Sequence, residues 1–166
     1  MNKKLITIII PVFNSGKTIY DLVSNIFRSL KLNYKLEVIL INDCSSDNSD
    51  IECLKLYDKY QGKLKYYKLA KNVGEHNAVM AGLNYAMGEW IVIMDDDFQN
   101  PVSEVEKVIN FSLTNDYDVV YTHYQYKKHN IFRNLGSYFN NKVANIMLKK
   151  PNHLYLSSFK AIQSKV

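Results

Sequence analysis

Residues 5–12 read LITIIIPV, an almost unbroken run of aliphatic and β-branched side chains. The run is too short to cross a membrane and has no polar alternation for a wet face. It therefore suits a strand buried on both sides, as in a parallel sheet covered by helices. LEVILI at 36–41 and EWIVIMD at 89–95 repeat the pattern, and KLKYYKLA at 63–70 and DVVYTHY at 118–124 are weaker versions of it. Between the strands the apolar period changes. Ile19, Leu22, Val23, Ile26, Phe27 and Leu30 fall on one helical face that Ser15 can cap. A helix is expected over roughly 50–60, another rich in small residues follows the turn at Asn72, and a third after Asn100-Pro101 turns Val102, Val105, Val108 and Ile109 inward.

Strands alternating with helices indicate a doubly wound α/β fold with a mostly parallel sheet, and 166 residues suit a single domain. In such sheets ligands bind beyond the carboxyl ends of the strands, near the point where strand order reverses. Polar clusters beginning at Pro11, Asn42 and Asp95 all follow strands and are expected to converge there. The last third differs. Ile131, Leu135, Tyr138, Phe139, Val143, Ile146 and Met147 trace a helical stripe that suits core packing or a face resting on a membrane or partner. LYLSSFKAI at 154–162 reads as a further strand.

Charge is polarised along the chain. Eight of the 21 Lys and Arg lie after residue 118 and none of the 16 Asp and Glu does, so residues 1–118 carry a formal −3 and the remainder +8. Such a tail favours an anionic partner. Nucleic acid is one candidate, but it leaves the acidic triplet discussed below without a role. Cys44 and Cys53 lack metal-ligand spacing and are expected to be free thiols of a reducing cytosol. The first apolar run ends at a proline without a cleavage site, so a cytoplasmic location is expected.

The segment NSGKT at 14–18 invites comparison with a phosphate-binding loop. That loop begins with a glycine whose flexible backbone lets successive N–H groups wrap a phosphate. The corresponding residue here is Pro11, which has no N–H and a fixed φ. A nucleoside triphosphatase is therefore not expected. Gly16-Lys17-Thr18 reads instead as the polar start of a helix.

Asp95, Asp96 and Asp97 follow a buried strand. Three like charges there are costly unless they open into a cleft and meet a cation. Hard divalent cations such as Mg²⁺ or Mn²⁺ take carboxylate and phosphate oxygens together. In an extended segment Asp95 and Asp97 project to one side and Asp96 to the other, so the outer pair suits one metal.

Four segments, PVFN at 11–14, NDCSSDNS at 42–49, NVGEHNAVMAGLNYAMGEWIVIMDDDFQNP at 72–101 and SSFKAI at 157–162, resemble in order and spacing the family 2 glycosyltransferases. The nearest likeness is to the branch that moves sugars onto polyprenyl phosphates. The resemblance implies a GT-A fold, a UDP- or GDP-linked sugar donor, a divalent metal (Mg²⁺ or Mn²⁺) and inversion at the anomeric carbon. It places Pro11, Phe13, Asn14, Asp43, Asp95 and Asp96 at the nucleotide, Asp95, Asp97 and Gln99 at the metal, and Arg133 near the donor phosphates. Asp43 would accept a hydrogen bond from the base.

The chain departs from the family pattern in two places. Asn42 stands where the family usually has a first aspartate, and the stretch before SSFKAI offers no carboxylate to act as general base. A lipid-phosphate acceptor, already anionic near neutral pH, needs little help from a base. The basic last third would then contact that phosphate and the cytoplasmic membrane face. A growing cell-surface glycan is the other acceptor that the resemblance implies. The alternative expectation is a shortened chain, lacking the C-terminal acceptor and membrane region, that binds a nucleotide sugar without transferring it.

Overall fold

The structure is a computed structural model that describes residues 3–30, 34–122 and 157–166. The chain divides into two compact units, Met1–Val120 with Ser158–Val166, and Tyr121–Ser157. The second is inserted in the sequence of the first and lies almost wholly outside the described residues, as do Arg133 and the stripe from Ile131 to Met147.

Among the described residues there are ten elements, in chain order β1 (Leu5–Val12), α1 (Ile19–Ser29), β2 (Lys35–Asn42), α2 (Ser49–Lys59), β3 (Leu64–Lys68), α3 (Glu75–Leu83), β4 (Trp90–Ile93), α4 (Val102–Thr114), β5 (Val119–Tyr121) and β6 (Lys160–Gln163). They agree with the expected strands and helices to within a few residues, with the two late strands shorter than their apolar runs. The sheet order is β3-β2-β1-β4-β6-β5. The first four strands are parallel, and β6 runs antiparallel to β4 with Ile93 opposite Lys160. The chain steps outward from β1 through β2 to β3, then α3 carries it back to β4 on the other side of β1. Strand order therefore reverses between β1 and β4.

Side-chain alternation sorts β1 between two layers. Ile6, Ile8, Ile10 and Val12 face a large core with Ile19, Leu22, Val23 and Ile26 of α1, Cys53 and Leu56 of α2, and Val105, Val108 and Ile109 of α4. Ile9 turns the other way and joins Ile39, Ile41, Ile91 and Ala78 of α3 in a smaller cluster. Both faces of the central strands are thus dry, which explains their unbroken apolar runs. The two cysteines are free, Cys53 buried and Cys44 half-buried, as expected.

α3 lies unusually close to the sheet. A Cβ built on Gly82 would stand 2.7 Å from Ile9 Cγ2 and 3.3 Å from Ile41 Cγ1. Both neighbours are fully buried and stiff at χ1, so neither yields easily.

At the amino-terminal half of the sheet, on the α3 side, Glu37 is buried to 7% exposure. Its carboxylate accepts from Thr7 Oγ1 at 2.5 Å and from the Met87 N–H at 3.0 Å, and it pairs with Lys65 Nζ at 2.6 Å. Burial alone would raise this carboxyl. The bonds from Lys65, Thr7 and Met87, with the Lys65 charge, more than offset that and hold it below its usual 4.5. A carboxyl depressed by folding stabilises the protein above its unfolded value, and that contribution fades as pH falls through the folded value.

Two stability predictions follow from these contacts. Gly82→Ala should destabilise by about 1–2 kcal/mol, the overpacking cost outweighing the helix gain of about 1 kcal/mol; urea denaturation showing a stabilised variant would refute the close-approach account. Glu37→Gln should lose about 2–3 kcal/mol at pH 7 and less at an acid pH well below the usual 4.5, as the carboxylate's contribution fades. Equal losses at the two pH values would show that the ionised pair contributes nothing.

Candidate functional site

The loops after β1, β2 and β4 meet beyond the carboxyl ends of these strands. Each contains a non-glycine residue on left-handed backbone: Asn14 (φ 54°), Cys44 (φ 57°) and Phe98 (φ 61°). For Cys44 and Phe98 this conformation has no help from residue type, so tertiary contacts must hold it. Hydrogen bonds join these loops.

Four successive backbone amides at the start of the β1–α1 loop donate to oxygens of other loops. Phe13 N–H reaches Asp96 Oδ2 at 3.1 Å, Asn14 N–H reaches Ser45 Oγ at 3.0 Å, Ser15 N–H reaches Ser49 Oγ at 2.8 Å and Gly16 N–H reaches Asp47 Oδ2 at 2.9 Å. Asn14 Oδ1 accepts in return from Ser46 N–H at 2.9 Å. The resemblance to a phosphate-binding loop fails here on geometry as well as sequence, because the amides that would cradle a phosphate are engaged with the protein's own side chains.

Ser15 departs from expectation. Its backbone carbonyl accepts from Thr18 and Ile19 at the start of α1, but its hydroxyl donates to Asp96 Oδ2 rather than capping the helix. Thr18 Oγ1 donates to the Asp96 carbonyl at 2.9 Å. Asp96 is thus tied to the first loop by both side chain and backbone. An acceptor from 81 residues away has displaced the local cap.

Asp43 is 2% exposed, and its two carboxylate oxygens accept from the N–H groups of Val73 and Gly74, each at 2.8 Å. Gly74 has φ 87°, which a side chain would strain, and it presents its N–H to Asp43 at the N-terminus of α3. Asp43 therefore fastens the turn before α3 to the end of β2. Pro11 remains within β1, buried opposite Ile41. Phe13 is 50% exposed and Phe98 40%, leaving two aromatic faces open to solvent where the loops meet.

The acidic triplet is divided. β4 ends at Ile93; Asp95 lies just beyond it, and the chain bends at Asp96 and Asp97, so the extended alternation expected across the triplet is not kept. Asp95 Oδ2 accepts from Ser158 Oγ at 2.8 Å. Asp97, exposed, accepts from Gln99 Nε2 at 2.6 Å and from the Gln99 N–H at 3.1 Å. Burial raises the Asp95 carboxyl, helped by the charge of Asp97 and opposed by Ser158. Burial also raises Asp96, against the bonds from Ser15 and Phe13. Glu75, at the first turn of α3, is raised by partial desolvation and then by the charges of Asp95 and Asp96. His76 and Lys160 oppose the rise at Glu75. Among the described residues no group of three or more His, Cys, Asp or Glu is arranged to hold a metal by itself. The donors are hard carboxylate oxygens at the sheet edge, which fits Mg²⁺ or Mn²⁺ completed by ligand oxygens and does not fit a soft metal.

The structure thus brings Phe13, Asn14, Asp43, Asp95, Asp96, Asp97 and Gln99 to one sheet edge, while Arg133 lies outside the described residues. Sequence reasoning missed Glu75 and the roles of Ser15 and Ser158. The first two lie within or beside segments that carry the family resemblance, and Ser158 sits within SSFKAI, but their partners are distant in sequence. Among the described residues no helix is long and apolar enough to cross a membrane.

Comparison with known proteins agrees with this architecture. Residues 7–166 match the family described as glycosyl transferase family 2. The undecaprenyl-phosphate 4-deoxy-4-formamido-L-arabinose transferase of Yersinia enterocolitica is 30% identical over 148 residues, 89% of this chain and 44% of that protein. The transferase of the same name from Aeromonas hydrophila is 32% identical over 158 residues, 94% of this chain and 47% of that protein. The chain therefore spans less than half the length of these relatives. Glucosyl-3-phosphoglycerate synthase from Mycobacterium tuberculosis, solved with UDP and with Mn²⁺ and UDP-glucose, superimposes with a TM-score of 0.75 at 16% identity, covering 98% of this chain and 57% of that one. The fold is that of the GT-A glycosyltransferases, and the chain belongs to glycosyl transferase family 2.

Proposed function

We propose that this chain forms the donor-binding part of an inverting, metal-dependent glycosyltransferase. Its donor would be a nucleoside diphosphate sugar, and its acceptor a polyprenyl phosphate at the cytoplasmic face of a membrane. One observation carries the reading: at the switch point of the sheet, Asp96 is committed to the β1–α1 loop, while two further carboxylates, Asp95 and Asp97, stand at the same edge held by Ser158 and Gln99. A cation accompanying a diphosphate meets their charge. The names of the relatives support the acceptor class, and the basic last third of the sequence supports an anionic one. A UDP donor has the support of the structural neighbour's complexes.

In this reading Phe13 and Asn14 border the nucleoside, and Asp43 holds the α3 turn that closes its side. Asp95 and Asp97, with Gln99 beside them, would hold the divalent ion, whose chemistry when bound is to neutralise the departing diphosphate. The acceptor oxygen attacks the sugar from the face opposite that leaving group. An anionic phosphate acceptor needs no proton removed.

Calorimetric titration of UDP and GDP, each with Mn²⁺, with Mg²⁺ and with chelator, tests the donor site. Metal-dependent binding of one nucleotide is expected. Asp97→Ala should abolish the metal-dependent part of that affinity and leave the melting temperature unchanged, because Asp97 is exposed. Retained metal-dependent affinity would refute the assignment. Asp96→Ala should behave differently: removing the acceptor of Phe13 N–H and Ser15 Oγ should lower stability by about 1–3 kcal/mol as well as weakening nucleotide binding. An Asp96→Ala variant of wild-type stability in urea would mean that the loop does not depend on it. Nucleotide binding without transfer to a polyprenyl phosphate would identify a binding module.

A further inference from the structure

β6 is antiparallel to β4, with Val92 opposite Ala161 and Ile93 opposite Lys160. Continuing that register past the end of the ladder sets Phe159 against Met94 and Ser158 against Asp95. Phe159 and Ala161 are 1% and 0% exposed and anchor the segment in the core, so the register is held by burial rather than by the loop. A slip of one residue would bring a phenyl ring or the buried Ser157 to Asp95. Directly opposed residues of an antiparallel pair meet on one face, and here the meeting is the 2.8 Å bond from Ser158 Oγ to Asp95 Oδ2.

The bond occupies one carboxylate oxygen and selects the orientation of the whole group. Asp96 is oriented from the opposite side of the triplet by Phe13 and Ser15. The neighbouring aspartates are therefore drawn apart by two different loops. Ser158 is itself exposed, so its hydroxyl contributes to the edge of the site rather than to the core.

We propose that Ser158 is a positioning residue: its hydroxyl, delivered by the β4–β6 register, fixes the Asp95 carboxylate for a divalent cation carried with a nucleoside diphosphate. The proposal rests on the donor-site reading above. It assigns to β6 a part in the site that lies beyond closing the sheet. Threonine, which keeps the hydroxyl, should substitute; alanine should not.

The test is calorimetric titration of UDP and of GDP into the wild-type chain, Ser158→Ala and Ser158→Thr, each with Mn²⁺ and with chelator, alongside their melting temperatures. Ser158→Ala should weaken the Mn²⁺-dependent affinity about tenfold, the usual scale for removing a group that orients a metal ligand. It should leave the affinity in chelator and the melting temperature unchanged, and Ser158→Thr should restore wild-type values. Unchanged affinity in Ser158→Ala, or an equal loss with and without Mn²⁺, would overturn the positioning role while leaving the donor site standing. A wild-type chain that binds neither nucleotide with Mn²⁺ would overturn the donor reading, and the role of Ser158 with it.

Discussion

The N–H groups of Phe13, Asn14, Ser15 and Gly16 leave the end of β1 without strand partners, and each is met by an oxygen from Asp96, Ser45, Ser49 or Asp47. Phe13 and Asn14 are exposed, but at the half-buried Ser15 and the buried Gly16 an unmet amide would cost roughly 1–3 kcal/mol. Meeting them from two other loops turns that liability into the joint of the structure. The β2–α2 turn, the β1–α1 loop and the residues after β4 hold one another in place, and the left-handed backbone of Asn14 lies within the same joint. The consequence for ligand choice is direct. A loop whose amides are occupied cannot wrap a triphosphate.

The two polar networks of the sheet serve different ends. At the amino-terminal half, Glu37 is surrounded by Lys65, Thr7 and the Met87 N–H, and its charge is fully compensated. At the carboxyl edge, burial raises Asp95, Asp96 and Glu75, the charge of Asp97 adds to the first two, and the charges of Asp95 and Asp96 add to Glu75 against His76 and Lys160. A compensated carboxylate stabilises the fold, whereas an under-compensated group beside a cleft is poised for a ligand.

Much of this was legible in the sequence because the central strands are dry on both faces and cannot be disguised. LITIIIPV, LEVILI and WIVI announced a parallel sheet, and the polar residues after each of them marked the edge where the site lies. The local devices were less legible. Ser15 has the residue type of a helix cap, and only the fold places Asp96 within its reach. Cys44 and Phe98 carry no signal of left-handed backbone, since that conformation is normally announced by glycine or asparagine. The pairing of β6 with β4 could not be read either: hydrophobic pattern shows that 160–163 seeks a sheet but not which strand it joins. Ser158 at Asp95 is hidden for the same reason.

The late arrival of β6 has a consequence for biosynthesis. β4 lies inside the sheet, yet the neighbour that covers its outer edge is made only after the long stretch from 94 to 159 has been translated. At roughly 5–20 residues per second the nascent protein carries an unpaired edge of Trp90, Ile91, Val92 and Ile93 for several seconds. Such an edge is a template for pairing with other chains. The half-made protein is therefore more exposed to aggregation than the finished one, and ribosome-bound chaperones would find their target at β4.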